Sequence, residues 1–229
     1  MPSQPSLKIL YQDEWMVAVD KPAGWLVHPA SEPQEDDLVA MKVLRDQIGK
    51  RVNTIHRIDR PTTGVLLMGV DPEISKALHH AFSAHKMKKT YWAVIHGRTP
   101  ETEWACTEPI QKEADKPIRE AHTTFRLLDT VRHPALTNID EDRLSLIEAT
   151  PHSGRFHQIR RHLVHAGFPI VGDYRYGGIE RCDQLGNLLE TGSRMLLMAK
   201  RLEFIHPVTK QSILIEADTE PMFEKCYLG

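Results

Sequence analysis

The sequence predicts a single domain in which short strands and helices are mixed along the chain. Apolar and β-branched runs of strand length occur in both halves, and other segments repeat apolar residues at helical spacing. Neither an internal repeat, nor a low-complexity tract, nor a convincing linker interrupts the 229 residues. This length fits one large domain or two small ones, and the uninterrupted pattern favours one domain over residues 1–229.

The amino-terminal half predicts three strands and two helices. The continuous apolar run GVLLMGV is typical of a buried strand, and Gly49 ends the helix before it. After the start signal Asp71-Pro72, apolar residues recur at positions i, i+3, i+4, i+7 and i+8, which indicates a second helix. The predicted strands are Leu7–Tyr11, Met16–Asp20 and Gly64–Val70, and the predicted helices are Asp37–Ile48 and Glu73–Met87.

The carboxyl-terminal half adds five strands and one helix. The segment KTYWAVIHG is aromatic and β-branched, as strands usually are. The acidic connection Asn138–Asp142 separates two alternating strands, Gly167 ends the helix, and the glycine-rich Gly172–Gly178 predicts a loop. The predicted strands are Lys89–Gly97, Arg119–Val131, Arg143–Ala149, Met195–Ile205 and Ser212–Ala217, and the predicted helix is Arg155–Ala166.

The composition is that of an ordinary globular protein. Hydrophobic residues make up 41% of the chain and charged residues 26%, which argues against disorder. Three cysteines without paired spacing argue against a disulfide framework and favour a reducing compartment. The longest apolar runs are too short to span a bilayer, and the amino terminus has no signal-peptide pattern. We therefore expect a cytoplasmic protein without a membrane segment.

Acidic and basic residues are segregated along the chain, although the formal net charge is only −2. Four acids fall within residues 32–37 and three within residues 140–142. The basic clusters are Arg57 with Arg60, Lys86 with Lys88 and Lys89, and Arg155 with Arg160 and Arg161. Charge runs are usually solvated faces, so this clustering alone favours an anionic partner only slightly.

The segment with the densest chemistry is HRIDRPTTG, residues 56–64. Asp59 lies between Arg57 and Arg60, and positive neighbours favour the ionised form of a carboxylate. A carboxylate held where a loop meets a rigid strand could act as a nucleophile without a metal. The structural alternative is an aspartate that caps the backbone or pairs locally with an arginine. From the residues alone, that alternative is the commoner outcome.

A second segment, SGRFHQIRRH, places an arginine at the edge of an apolar helix stripe. In a helix that starts near Arg155, the side chains of Ile159 and Leu163 form the stripe, and Arg160 lies beside it. An arginine is seldom buried without a partner, so Arg160 requires a carboxylate from elsewhere in the chain. The alternative is that its long side chain reaches the surface.

Histidines and aromatic residues offer two further interpretations. His152, His157, His162 and His165 invite a metal site, but the sequence has no HExxH or CxxC motif and no carboxylate at ligand spacing. We therefore predict no metal. Tyr91 and Trp92 occupy adjacent strand positions and face opposite sides, so one can join the core and the other can stack on a base.

Six segments together resemble the RluA-type pseudouridine synthases, and they follow one another in the family's order over nearly the whole chain. HRIDRPTTG is the most specific of them, whereas DKPAG alone would be weak. The matching segments are DKPAG (20–24), HRIDRPTTG (56–64), KTYWAVIHG (89–97), SGRFHQIRRH (153–162), GDYRYG (172–177) and LEFIHP (202–207).

The chain departs from the family pattern at a few positions. Ile58 and Thr63 replace the usual leucine and serine, Ser153 replaces a threonine, and Met198 stands where a histidine is expected. None of these changes affects the candidate nucleophile. The amino-terminal S4 domain of many family members is not expected, because the first predicted strand begins at Leu7.

The resemblance implies a role for four residues. Asp59 matches the catalytic aspartate, and Arg57 matches the arginine that helps to extrude the target nucleotide and fills its place. Tyr91 matches the tyrosine that packs on the flipped base, and Arg160 matches the arginine that pairs with the aspartate. We therefore predict a contact between Asp59 and Arg160. The implied fold is α+β, with a mixed, largely antiparallel sheet, flanking helices and a central cleft.

The resemblance also implies the reaction, an isomerisation of uridine to pseudouridine in RNA without a cofactor. The segments YQDEWMVAVDKPAGWLVH, RDQIG and HRIDRPTTGVLLMG are most similar to members that modify uridine 65 of tRNA. An enzyme acting on ribosomal RNA, a non-catalytic RNA-binding protein and a metal-dependent hydrolase are the alternatives. The sequence indicates no obligate protein partner.

Overall fold

The computed structural model describes residues 5–32, 34–139 and 141–228. Asp140, in the acidic connection Asn138–Asp142, lies outside them. The described residues group into two compact units: Met1–Lys89 with Ala199–Asp218, and Thr90–Met198 with Thr219–Gly229. We call these unit 1 and unit 2. The single-domain organisation and the central cleft stay predictions.

Unit 1 is built around a buried strand next to the HRIDRPTTG segment. Its first part comprises β1 (Lys8–Gln12), β2 (Met16–Lys21), α1 (Ala40–Ile48), β3 (Asn53–Thr54), β4 (Thr63–Gly69) and α2 (Pro72–Ser83). Two later strands complete it, β11 (Leu197–Ile205, whose first two residues belong to unit 2) and β12 (Ser212–Glu216). All seven residues of β4 are buried, so the buried strand that the apolar run predicts is confirmed.

The sheet of unit 1 places β4 in a central position. Its strand order is β1-β2-β4-β11, with β3 also paired to β4 and β12 paired to β11. Strands β2 and β4 pair antiparallel with Met16 opposite Gly69 and Lys21 opposite Gly64. Helix α2 packs against β3 and β4. The end of β2 and the start of β4 therefore lie side by side, which brings DKPAG next to HRIDRPTTG.

Unit 2 contains the remaining elements. Its strands are β5 (Lys88–His96, whose first two residues belong to unit 1), β6 (Glu103–Cys106), β7 (Ile110–Gln111), β8 (Ile118–Arg119), β9 (Thr123–Arg132) and β10 (Arg143–Pro151). Its helices are α3 (Gln158–His165), α4 (Ile179–Leu188) and α5 (Pro221–Leu228). The strand order β5-β10-β9-β6 is antiparallel throughout, and β7 pairs with β8 in a separate ribbon.

The core of unit 2 lies between this sheet and α3. Ala93 of β5 and Ile147 of β10 are fully buried and face each other across the strand pair. Ile159 and Leu163 from α3 pack into the same cluster. The predicted mixed α+β fold with a largely antiparallel sheet is confirmed. No helix among the described residues is both long and apolar enough to span a membrane.

Two predicted element boundaries are wrong. Residues 119–131 do not form one strand, because β8 pairs with β7 and the main-sheet strand β9 begins only at Thr123. Apolar and polar residues alternate in the sequence across this change of partner, so the pattern could not reveal the boundary between β8 and β9. Helix α3 begins at Gln158 rather than Arg155, because His157 has a left-handed backbone, with φ of 51°.

Other helix ends differ from the prediction for local reasons. Helix α2 ends at Ser83 rather than Met87, since His85 also has a positive φ of 57°. Helix α1 begins at Ala40, because Val39 before it pairs with Leu26. The start signal of α2 is confirmed: Asp71 caps it by accepting a hydrogen bond from the Ile74 amide at 2.8 Å. The sequence did not predict β3, β6, β7, α4 or α5.

Gly64 is required by the close approach of β4 and β11. Its φ is +100°, and a Cβ at this position would lie 2.2 Å from the carbonyl oxygen of Ala199. We predict that Gly64→Ala lowers the free energy of unfolding by about 2 kcal/mol or more. Urea unfolding measures this, and Gly154→Ala is the control because a Cβ there meets no atom within 4 Å. Equal stability of the two variants would contradict the prediction.

Candidate active site

Asp59 lies in a loop that joins β3 to β4, which we call the Asp59 loop (residues Ile55–Thr62). Burial differs between its neighbouring residues: Ile58 is buried, Arg57 is exposed, and Asp59 is half-buried. The two isoleucines Ile55 and Ile58 anchor the loop in the core of unit 1. The backbone on either side of Asp59 is therefore fixed by buried side chains.

A tight turn follows Asp59 and is bonded to the DKPAG segment. The Thr62 amide donates to the Asp59 carbonyl at 3.0 Å, which closes the turn. Gly24 donates its amide to the Arg60 carbonyl at 2.9 Å, and the Arg60 side chain donates its Nε to the Gly24 carbonyl at 2.8 Å. Arg60 also pairs with Asp37 at 3.1 Å. Arg60 is thus a structural residue that ties two loops together.

Lys21 provides the buried part of the same connection. Its side chain is fully buried, and its Nζ donates to the carbonyls of Pro22, Trp25 and Arg60 at 2.8, 2.9 and 3.1 Å. Three acceptors match the three protons of an ammonium group. This contact joins the turn after β2 to the turn after Asp59, so the conformation of the Asp59 loop depends on both segments.

His56 is a structural member of the Asp59 loop. Its Nε2 accepts a hydrogen bond from the Leu67 amide of β4 at 3.0 Å, and its ring stacks on Phe82 at 4.8 Å. Burial, with a smaller contribution from the positive charge of Lys89, lowers the pKa of His56 from 6.5 to about 3. The imidazole is therefore neutral at physiological pH, with its one proton on Nδ1 because Nε2 is the acceptor.

Tyr91 lies on β5, in unit 2. It is opposite Ala149 of β10, and its half-buried ring packs against the cluster that also contains Ile159 and Leu163. Tyr91 therefore shares a sheet face with α3, the helix that carries Arg160. Trp92, its neighbour in the strand, points to the opposite face and is also half-buried.

Arg160 is buried and held by a carboxylate in unit 2. Only 5% of its surface is exposed, and its partner Asp173 is 1% exposed. Nε and one terminal nitrogen of the guanidinium donate to the two Asp173 oxygens at 2.8 and 2.7 Å. This bidentate geometry fixes the plane of the guanidinium. The prediction that Arg160 is buried against a carboxylate is confirmed, and the alternative in which it reaches the surface is excluded.

The loop before α3 is fixed by Gln158. Its Oε1 accepts from the Ser153 hydroxyl at 2.6 Å and from the Arg155 amide at 3.0 Å. Its Nε2 donates to the His122 carbonyl and the Thr123 hydroxyl, both at 2.9 Å. The hydroxyl at position 153 is therefore used, which explains why serine can replace threonine there.

The four predicted site residues fall in pairs. Arg57 and Asp59 are two positions apart in one loop of unit 1, and Tyr91 lies on the sheet face of unit 2 that packs against α3, the helix of Arg160. The contact between Asp59 and Arg160 stays a prediction. Asp173 is the residue that sequence reasoning missed, because it lies in a loop without periodicity. The sequence signal that could have led to Asp173 was the need of a buried Arg160 for a carboxylate partner.

The four clustered histidines do not converge on one point, although His165 lies 3.9 Å from the carboxylate of Glu108, whose carbonyl is near His162. His157 hydrogen-bonds the Tyr176 hydroxyl at 3.0 Å, and His162 contacts the Thr123 hydroxyl and the Glu108 carbonyl, both at 2.9 Å. His152 stacks on His122. In residues 5–32, 34–139 and 141–228, no three His, Cys, Asp or Glu side chains are grouped as metal ligands.

Comparisons with known proteins identify a matching family. Residues 15–165 match the family model described as RNA pseudouridylate synthase. A "tRNA pseudouridine synthase C" of Salmonella typhimurium is 41% identical over 221 residues, which cover 92% of this chain and 85% of the relative. A protein of the same name from Pectobacterium carotovorum is 40% identical, and the match spans only 58% of its length.

A solved structure has the same fold. The human RNA pseudouridylate synthase domain containing 1 superposes with a TM-score of 0.76, covering 100% of this chain and 89% of the human chain. Its sequence identity is 20%, so this similarity concerns the fold alone.

Asp173 is expected to be essential for the folded state of unit 2. We predict that Asp173→Asn lowers the free energy of unfolding by about 3 kcal/mol or more, because it removes the charge that balances a buried guanidinium. Urea unfolding at neutral pH measures the loss. Asp115→Asn is the matched control, since Asp115 pairs with Lys116 at an exposed site. A loss no larger than that of the control would contradict this role.

The neutral state of His56 predicts a pH dependence of stability. The unfolded chain binds a proton with a pKa of 6.5 and the folded chain only near 3. Stability is therefore lost as the pH falls below 6.5, by up to about 1.4 kcal/mol per pH unit. His56→Gln keeps an acceptor for Leu67 and removes this titration. Unfolding of both proteins between about pH 7.5 and pH 5 measures the effect, and a pH-independent difference between them would rule it out.

Proposed function

The chain belongs to the RNA pseudouridylate synthase family, and on this basis we propose that it isomerises a specific uridine of tRNA to pseudouridine. The observation that carries the proposal is the Asp59 loop. It holds the half-buried Asp59, and buried isoleucines, a tight turn and the Lys21 ammonium fix the backbone around this residue.

We assign Asp59 as the catalytic residue. Two other polar residues of its loop have structural functions: Arg60 bonds the DKPAG turn and Asp37, and the neutral His56 is bonded to β4. A carboxylate acts as a nucleophile when it is ionised and correctly oriented. The fixed backbone of the Asp59 loop supplies the orientation.

Arg57, Tyr91 and Arg160 are assigned to binding of the substrate. Arg57 is exposed next to Asp59, where its side chain can enter the RNA and replace the extruded nucleotide. The ring of Tyr91 is half-buried and can stack on the flipped base. Arg160 supplies a fixed positive charge, since Asp173 orients its guanidinium. We propose that this charge pairs with Asp59 in the active enzyme.

The reaction breaks the glycosidic bond between N1 of uracil and the ribose and forms a bond from the same sugar carbon to C5. The proton on C5 is lost and a proton is gained on nitrogen, so the reaction needs no redox step and no group donor. The target base must leave its stack, which costs a few kcal/mol. Contacts between arginines and phosphates offset part of this cost.

We propose tRNA as the substrate, with uridine 65 as the target, and the cytoplasm as the site of action. Support for tRNA comes from the names of relatives that are about 40% identical over 92% of the chain. The position of the uridine is suggested by the similarity of three amino-terminal segments to the members that modify it. The alternative substrate within this family is ribosomal RNA.

We predict that Asp59→Asn forms no detectable pseudouridine, because a neutral amide cannot replace the carboxylate. The purified variant is incubated with an unmodified tRNA transcript, and nucleoside mass spectrometry quantifies the product. Asp36→Asn, an exposed acid of the same unit, is the matched control and should keep full activity. Turnover by the Asp59 variant, after exclusion of wild-type contamination, would refute the catalytic assignment. An inactive wild-type protein that still binds RNA would indicate a non-catalytic binding protein.

A further inference from the structure

Unit 2 carries a group of aromatic and basic side chains that the proposed reaction does not use. We call it the aromatic–cationic patch (Phe156, His157, Tyr176, Arg175 and Lys112). The rings of Phe156 and His157 stack at 3.7 Å, and Tyr176 meets His157 edge-on at 5.7 Å. The guanidinium of Arg175 lies 5.5 Å from the Phe156 ring and 5.8 Å from the Tyr176 ring. The Lys112 ammonium lies 5.8 Å from Phe156.

The rings of the patch are not buried in the core. Phe156, His157 and Tyr176 are each half-buried, while Arg175 and Lys112 are exposed. His157 adopts a left-handed backbone, with φ of 51°, in the residue that precedes α3. Non-glycine residues pay an energetic cost for this conformation, and such residues are concentrated at functional sites. His157, the residue in this conformation, thus also supplies one of the two stacked rings of the patch.

The positive charge of the patch is only partly neutralised. Among the described residues Arg175 has no acidic partner, and its contacts are the two rings. Arg155, which precedes Phe156, donates its Nε to the Glu120 carbonyl at 3.0 Å rather than to a carboxylate. Elsewhere in unit 2, Arg126 pairs with Glu148 at 2.9 Å. Lys112 pairs with Glu113 at 3.0 Å at an exposed site, so Arg175 is the cation of the patch whose charge is not balanced by an acid within the part of the chain that the structure describes.

The patch borders the residues assigned to substrate binding. The guanidinium of Arg160 lies 5.1 Å from the Tyr176 ring. Asp173, which holds Arg160, accepts a hydrogen bond from the Tyr176 amide at 3.3 Å. A ligand on the patch would therefore lie next to Arg160, and a nucleic acid that reaches Arg160 could extend onto the patch.

We propose that the aromatic–cationic patch binds a second nucleotide of the RNA, distinct from the uridine that is isomerised. An unpaired base stacks on Phe156, and Arg175 and Lys112 contact the adjoining phosphates. Stacked rings beside arginines are the combination that binds unpaired bases irrespective of sequence. The proposal rests on the proposed function, since it assumes an RNA substrate.

The experiment separates the effects of the Phe156 ring, of the Arg175 charge and of misfolding on the affinity for RNA. Phe156→Leu removes the ring and keeps an apolar side chain, Phe156→Tyr restores a ring, and Arg175→Gln removes the charge. Arg98→Gln is the matched charge control, because Arg98 is exposed and follows β5 at the end opposite to Tyr91. Each change is placed in the Asp59→Asn background, and the dissociation constant for an unmodified tRNA transcript is measured at several salt concentrations. Urea unfolding of each variant checks that it folds.

We expect Phe156→Leu to weaken binding by about five- to a hundred-fold without changing the salt slope, which is the slope of log affinity against log salt concentration. Phe156→Tyr should keep most of the affinity. Arg175→Gln should reduce the salt slope by about one counterion, whereas Arg98→Gln should leave it unchanged. Wild-type affinity of Phe156→Leu, or equal slopes for Arg175→Gln and Arg98→Gln, would overturn the proposal. If Phe156→Leu does not fold, the salt slope of Arg175→Gln, compared with that of Arg98→Gln, decides whether the proposal holds.

Failure of this proposal is distinguishable from failure of the proposed function. If the proposed function is wrong, the wild-type enzyme forms no pseudouridine in tRNA. If only the patch proposal is wrong, the wild-type enzyme is active, and the patch variants bind the transcript as tightly as the Asp59→Asn protein.

Discussion

The buried ammonium of Lys21 is the interaction on which the arrangement around Asp59 depends. A charge removed from water costs several kcal/mol unless its hydrogen bonds are replaced, and here three carbonyls replace them. Two of these carbonyls belong to the turn after β2, and the third belongs to Arg60. All three hydrogen bonds therefore depend on the relative position of the two turns. The DKPAG segment is therefore a structural support for the Asp59 loop, although it contributes no group to the proposed chemistry.

The second charged contact has a similar effect in unit 2. The bidentate ion pair between Arg160 and Asp173 is almost completely buried, so water hardly competes for its hydrogen bonds. Asp173 is itself fixed by backbone bonds of the GDYRYG loop, in which its carbonyl accepts from the Gly177 amide at 2.7 Å. The orientation of the proposed substrate-binding guanidinium is thus set by a loop 13 residues further along the chain, the separation of 160 and 173.

The sequence predicted those features that depend on local pattern. The apolar run of β4, the cap of α2 and the requirement of Arg160 for a carboxylate follow from spacing and burial alone. The identity of that carboxylate did not follow, because any acid in a loop could have satisfied the requirement. The structural function of Lys21 was also beyond prediction, since its three acceptors are backbone groups that every residue possesses. The role of Asp59 came from the family resemblance, because a half-buried aspartate between two arginines is more often structural.

The central claim is that this chain isomerises one uridine of tRNA. It is tested most directly by mapping pseudouridines at nucleotide resolution in tRNA and ribosomal RNA from a strain that lacks the gene and from its parent. The account predicts that one pseudouridine, at position 65 of tRNA, is missing from the deletion strain and returns when the wild-type gene is restored. Unchanged tRNA together with the loss of a pseudouridine from ribosomal RNA would contradict it.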